Sequence, residues 1–141
     1  MSETGKDTST RKFTDMDAAA LRASMARFEG VCVVATVNPD GTPDAAIFMP
    51  SMPDDEHVIL MLADNHTRAN IERTGVARMV YDVANPSAED KAARHAGARL
   101  DLALVRPEGA DAEEHRRVAN AFPRMNPAVM ILRIERILPV G

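Results

Sequence analysis

Apolar and polar positions alternate most regularly between residues 98 and 105, where Arg99, Asp101, Ala103 and Val105 separate Ala98, Leu100, Leu102 and Leu104. A period of two is the signature of a strand with one buried face. Five other stretches read the same way. Val31 to Val37 is a run of β-branched residues too short for a typical helix, and Thr42 to Met49, His57 to Ala63, Val76 to Val83 and Val129 to Leu138 are apolar segments bounded by turn residues. Asn38-Pro39-Asp40-Gly41 places Pro at the second and Gly at the fourth position of a type I turn, so the first two strands form a hairpin.

Helical spacing appears in three places. Met16, Ala20, Leu21, Met25 and Phe28 recur every three or four residues behind Thr14-x-x-Asp17, with Gly30 as the stop. A short helix follows Asp64-Asn65-His66, with Thr67 as its cap and Gly75 as its end. Asp111-x-x-Glu114 reads as a capping box for a helix that reaches about Ala121, before Pro123 and Pro127. Six strands with short helices, joined mostly by hairpin-length links, predict a mainly β fold, an antiparallel barrel of one domain over residues 14–141. Residues 1–13, polar and without periodicity, read as a disordered tail.

Composition narrows the function. A hydrophobic fraction of 45% with 27% charged residues describes a chain that folds, and a net charge of −4 argues against nucleic acid, whose binding domains present a basic face. No apolar run approaches the ~20 residues that cross a bilayer, and no secretory signal opens the chain, so the expectation is a soluble, cytoplasmic protein without a membrane partner. Cys32 lies inside an apolar run and reads as a small buried hydrophobe. His57, His95 and His115 read as solvated, Asp54-Asp55-Glu56 as a solvated turn, and Asp111 with Glu113-Glu114 as a helix start. No His or Cys pair has metal-ligand spacing, so no metal is expected. No nucleophile elbow or catalytic triad is present, and no catalytic residue can be named.

The chemically informative stretch is Asp64-Asn65-His66-Thr67-Arg68-Ala69-Asn70-Ile71. A Thr hydroxyl, an Arg guanidinium and the free N–H groups of a helix start each favour an anion. Local sequence alone supports a surface helix with a solvated Arg68 equally well. Ile47, Phe48 and Met49 on one strand and Met61, Leu62 and Ala63 on another could form an apolar wall beside the loop, against which a flat ring would lie.

The order of Val34-Ala35-Thr36-Val37-Asn38-Pro39-Asp40-Gly41-Thr42-Pro43, then Thr67-Arg68-x-Asn70-Ile71, then Val76-Ala77 resembles the pyridoxamine 5′-phosphate oxidase-like FMN-binding split barrels over residues 28 to 138. The resemblance implies a six-stranded antiparallel split β-barrel and a homodimer with FMN at the subunit interface. It further implies that Thr67 and Arg68 grip the cofactor phosphate, that Ile47 to Met49 and Leu62 to Ala63 flank the ring, and that Asn65 and His66 belong to the same cofactor loop. The activity it implies is an FMN-dependent oxidoreductase acting on a small-molecule substrate or electron donor. The alternatives are a flavin carrier or store without turnover, a barrel that uses heme or F420 in place of FMN, and a barrel whose cofactor site has decayed. The chain lacks Trp and the basic, aromatic C-terminal segment of vitamin B6 oxidases, which argues against that substrate.

Overall fold

The computed structural model describes residues 13–141, so the expected tail lies outside the described residues except for Phe13. The elements in chain order are β1 (Thr14–Asp15), α1 (Ala18–Ala26), β2 (Val31–Val37), β3 (Pro43–Phe48), β4 (His57–Met61), α2 (His66–Thr74), β5 (Val76–Ala84), β6 (His95–Val105), α3 (Ala112–Ala121) and β7 (Val129–Leu138). Single 3-10 turns at Lys91–Ala93 and Gly109–Asp111 precede β6 and α3. Six antiparallel strands form one curled sheet in the order β3-β2-β5-β6-β7-β4, and the two-residue β1 adds in parallel at Ala96 and Gly97. The mainly β class and all six expected strands are borne out. No helix among the described residues is long and apolar enough to cross a membrane.

The curl leaves β3 and β4 as the two ends of the sheet. They meet at one isolated bridge, Ser51 to Ile59, where Ser51 N–H donates to the Ile59 carbonyl at 3.1 Å and Ile59 N–H donates back at 2.7 Å. Beyond that bridge the ladder stops and the barrel is split. The hairpin between β2 and β3 forms as its turn chemistry predicts, with Gly41 N–H donating to the Asn38 carbonyl at 2.9 Å and Gly41 at φ +87°, a conformation open to glycine.

Alternation decides what the barrel holds. Cys32 and Val34, Met79 and Tyr81, Leu100 and Leu102, Val58 and Leu60, and Leu132 all point inward and are buried, joined by Leu21 and Met25 of α1 and Ile71 of α2. Burying a Leu or Met of this size contributes about 2 kcal/mol. The Tyr81 hydroxyl, buried among them, is satisfied by Ser24 of α1 at 2.7 Å. Burial pushes the Cys32 thiol up to about 12, so it stays a neutral small hydrophobe as expected.

Three local expectations are corrected. α1 is capped by Asp17, whose carboxylate accepts from Ala20 N–H at 2.9 Å, while Thr14 belongs to β1. α1 ends at Ala26, four residues before Gly30, because the chain turns through Phe28 at φ +56°; Gly30 instead lets the chain approach Tyr81 and Asp82 more closely than a Cβ would allow. Asp111 stands at the N-cap of α3 but makes no capping hydrogen bond. Its carboxylate lies 3.7 Å from Arg133, and Glu114 is drawn to β7 as well.

That diversion exposes a feature the sequence concealed. His57 is 1% exposed, not solvated. Its Nδ1 lies 3.0 Å from both Asp54 oxygens and its Nε2 lies 2.6 Å from Glu114 Oε2, while Arg133 Nη1 donates to Glu114 Oε1 at 2.7 Å. The cluster latches α3 onto the outer face of β4 and β7, where Val118 and Phe122 cover Ile59, Val105, Val129 and Ile131. Partial burial pushes both carboxyls up. The Glu56 N–H and His57 nevertheless hold Asp54 below its ordinary 3.8, and His57 with Arg133 holds Glu114 below its ordinary 4.5.

Carboxylates depressed in the folded state stabilise it fully above their unfolded values and lose that contribution as pH falls through the folded ones. Urea midpoints should therefore hold above about pH 4.5 and drop below it. Glu114→Gln should cost about 2 kcal/mol at pH 7 and flatten the acid limb. An unchanged midpoint in that variant would remove the latch from the account of α3.

Candidate functional site

α2 follows β4 directly, and its start is fixed by Asn65, not Thr67. Asn65 Oδ1 accepts from Arg68 N–H at 2.9 Å, and the Asn65 carbonyl accepts from Ala69 N–H at 3.0 Å. Asn65 therefore takes the N-cap that the sequence assigned to Thr67, because a short amide side chain reaches the third helical N–H from an extended backbone. The N–H groups of His66 and Thr67, the first two of the helix, are left without helical partners. Gly75 ends α2 as expected, at φ +77° with its N–H donating to the Ile71 carbonyl at 2.8 Å.

Thr67 lies one step inside the helix and is 3% exposed. Its hydroxyl has no hydrogen-bond partner among the described residues, yet it is not among the fully occluded atoms and so retains contact with solvent. Arg68 is fully engaged. Its Nη1 donates to the Leu62 carbonyl at 2.8 Å and to the Ala128 carbonyl at 3.3 Å, its Nη2 donates to the Pro127 carbonyl at 3.1 Å, and its Nε lies 3.4 Å from Glu72. His66 is exposed on the first turn.

The remaining sequence-predicted residues fall on the two lips of the split. Continuing the antiparallel register past Ser51 and Ile59 would set Met49 against Met61 and Ile47 against Ala63. The ladder does not continue, and these residues stand open, with Ile47 70%, Met49 72% and Met61 44% exposed. Alternation turns the others away. Leu62 is buried in the barrel core, and Phe48 packs against the same core. The split thus leaves Ile47 and Met49 on one lip and Ala63 on the other, just before α2, and turns Phe48 and Leu62 inward. Met61, expected in the apolar wall but not among the cofactor-binding residues, is set on the lip by the register of the bridge.

A second missed residue is Asn70, 1% exposed on the inner side of α2. Its Nδ2 donates to Thr36 Oγ1 at 3.0 Å and to Asn38 Oδ1 at 2.9 Å, and its Oδ1 accepts from Arg73 Nη1 at 3.0 Å. Arg73 Nη2 also donates to the Val37 carbonyl. Asn70 therefore ties α2 to the end of β2 and the hairpin, which fixes the helix start relative to the lips.

With this geometry in place, the fold can be compared with solved structures. An FMN-binding protein from Syntrophomonas wolfei superposes with a TM-score of 0.58 at 19% identity, covering 86% of this chain and 84% of that one. HupZ of Group A Streptococcus superposes with a TM-score of 0.55 at 23% identity, covering 89% and 97%. The chain has the pyridoxamine 5′-phosphate oxidase-like split-barrel fold. No family model and no curated protein sequence matches it. In this split barrel the exposed apolar lips lie on β3 and at the end of β4, and the unpaired donors of α2 follow on the chain that leaves β4.

Asn70→Ala should cost about 2–3 kcal/mol, since it removes the donor to the buried Thr36 hydroxyl and to the Asn38 Oδ1 and the acceptor of Arg73 Nη1. Chemical denaturation measures this, and a change under about 0.5 kcal/mol would show that α2 holds its place without the tie.

Proposed function

We propose that this chain is an FMN-binding flavoprotein, an oxidoreductase acting on a small molecule, with the flavin held in the split between β3 and β4. The observation that carries the reading is the exposure of Ile47, Met49 and Met61 on the two lips of that split, with the free N–H groups of α2 and the unpartnered Thr67 hydroxyl on the chain that continues the β4 lip. One end accepts a flat apolar ring, and the other accepts an anion. The FMN-binding protein that shares the fold supports the same cofactor class.

The residues present fit FMN on these terms. Ile47, Met49 and Met61 would contact the ring, and a thioether against an aromatic ring is a favourable, adaptable contact. Backbone groups of β3 are available to its polar edge, because among the described residues β3 is an end strand paired only with β2. Thr67 and the His66 and Thr67 N–H groups would take the phosphate. FMN supplies the electron chemistry when bound, while the protein orients it and limits its access to water. No side chain is required as a catalytic acid or base.

The outer face of β2, β3 and β5 supports the homodimer in this reading. Cross-strand rows Ile47-Val33-Val80 and Pro43-Val37 lie on that face, and none of the three helices covers it, with Val31, Val37 and Ile47 largely exposed. An apolar face continuous with the lips is suited to a second copy, which would wall the split. His66, exposed beside the turn of the β2–β3 hairpin, gives the heme reading its one point of support, as an available imidazole.

The spectrum of the purified protein, before and after FMN is added, tests the cofactor. Saturable binding with flavin bands is expected; a Soret band would replace FMN with heme, and a colourless protein that binds no FMN would end the flavin reading. Thr67→Val should weaken FMN about ten-fold and leave riboflavin, which lacks the phosphate, unchanged. Sedimentation should show a dimer that Ile47→Asp converts to monomer. A wild-type monomer at micromolar concentration would leave the shared-site arrangement without support.

A further inference from the structure

We propose that Arg68 is a positioning residue: a strut that holds the β4 lip of the split to the segment leading into β7, leaving the cofactor's anionic end to Thr67 and the N–H groups of α2. The inference rests on the flavin reading above for its ligand, though not for its geometry. The resemblance to FMN-binding split barrels would give Arg68 to the phosphate directly.

The geometry points the other way. β4 and β7 pair through Met61 and Val129, where the registered ladder ends. One step further on, Leu62 N–H still donates to the Ala128 carbonyl at 2.8 Å, and that same carbonyl accepts from Arg68 Nη1. With Leu62 O at 2.8 Å and Pro127 O at 3.1 Å also bound, the guanidinium joins three carbonyls from two diverging chains. It thereby extends the β4–β7 pairing past its end, at the place where β4 becomes the lip and turns into α2. Glu72 at 3.4 Å offsets its charge, and the side chain is only 22% exposed.

Turning Arg68 toward a phosphate would break these bonds and free the lip that the ring contacts. Ala69 follows it, so the first turn of α2 holds no second cation, and Arg73 in the last turn is engaged by Asn70 and Val37. The donors left for an anion are neutral ones. Recognition at α2 is therefore by hydrogen bonds from N–H and O–H groups, and Arg68 acts on the ligand only through the position of the lip.

The test compares Arg68→Ala and Arg68→Lys with wild type in binding of FMN and riboflavin, together with amide exchange in the flavin-free protein. Val118→Ala, a destabilised variant altered on α3, serves as the control. Both Arg68 variants should weaken FMN and riboflavin together, by about ten-fold, with the ratio of the two Kd values within about two-fold of wild type. Lys should not rescue, since one ammonium cannot span three carbonyls in a planar fork. At saturating flavin the visible circular dichroism of the bound ring should change in both variants and stay constant in Val118→Ala. Loss of FMN affinity alone, rescued by Lys, would make Arg68 a phosphate ligand and overturn the proposal. If wild type binds neither flavin, the cofactor reading fails and the strut is judged by exchange alone. The Leu62 amide should then exchange at least ~10-fold faster in Arg68→Ala relative to the amides of β6, and unchanged exchange there would overturn the strut as well.

Discussion

The sheet of this protein closes through one residue pair, and the consequences of that constraint run through the rest of the molecule. Ser51 and Ile59 exchange two backbone hydrogen bonds where β3 and β4 would otherwise part. A full ladder here would seal the barrel and cover Ile47, Met49 and Met61 with neighbouring strand. No bridge at all would leave β4 anchored only through β7. A single bridge holds the two ends in register while leaving the lips apart. Pro50 and Pro53 beside it help to keep the ladder short, because neither can donate a backbone N–H.

Elements whose signals are local were legible in the sequence. The alternation of 98 to 105, the Asn38-Pro39-Asp40-Gly41 turn and the left-handed Gly75 each report conformations decided within a few residues. The cap of α2, expected at Thr67 and found at Asn65, was a closer case. Both have side-chain acceptors two positions apart, and the choice depends on where β4 releases the chain. What stayed hidden depends on partners remote in sequence. Arg68 binds carbonyls at 127 and 128, Asn70 binds side chains at 36 and 38, and His57 sits between Asp54 and Glu114. Residue type suggested an anion at Arg68 and solvent at His57. Tertiary contacts gave those donors to the protein itself.

The same distinction sorts the candidate site. Strand alternation, once the bridge fixes its phase, sends Phe48 and Leu62 inward and Ile47, Met49 and Met61 outward. A one-residue shift of that bridge would invert the assignment, because side chains change face with every residue. Without that phase, a sequence reading can name the segments but cannot choose between neighbours within them.

Coverage of the sheet's outer face bears on how a partner and the site relate. The His57 latch draws α3 over β4 and β7, so the apolar cluster of Ile59, Val105 and Ile131 is shielded within one chain. Among the described residues no equivalent element reaches β2, β3 and β5, whose outward rows end at Ile47 on the edge strand. Ile47 and Met49 are therefore the margin of that open face and one lip of the split at once. Any body that covers the face must also wall the opening, and any ligand in the opening must alter the surface such a body meets. A second copy on that face and a ligand in the opening would share side chains, so the two equilibria would be coupled, each changing the other's affinity by the same factor.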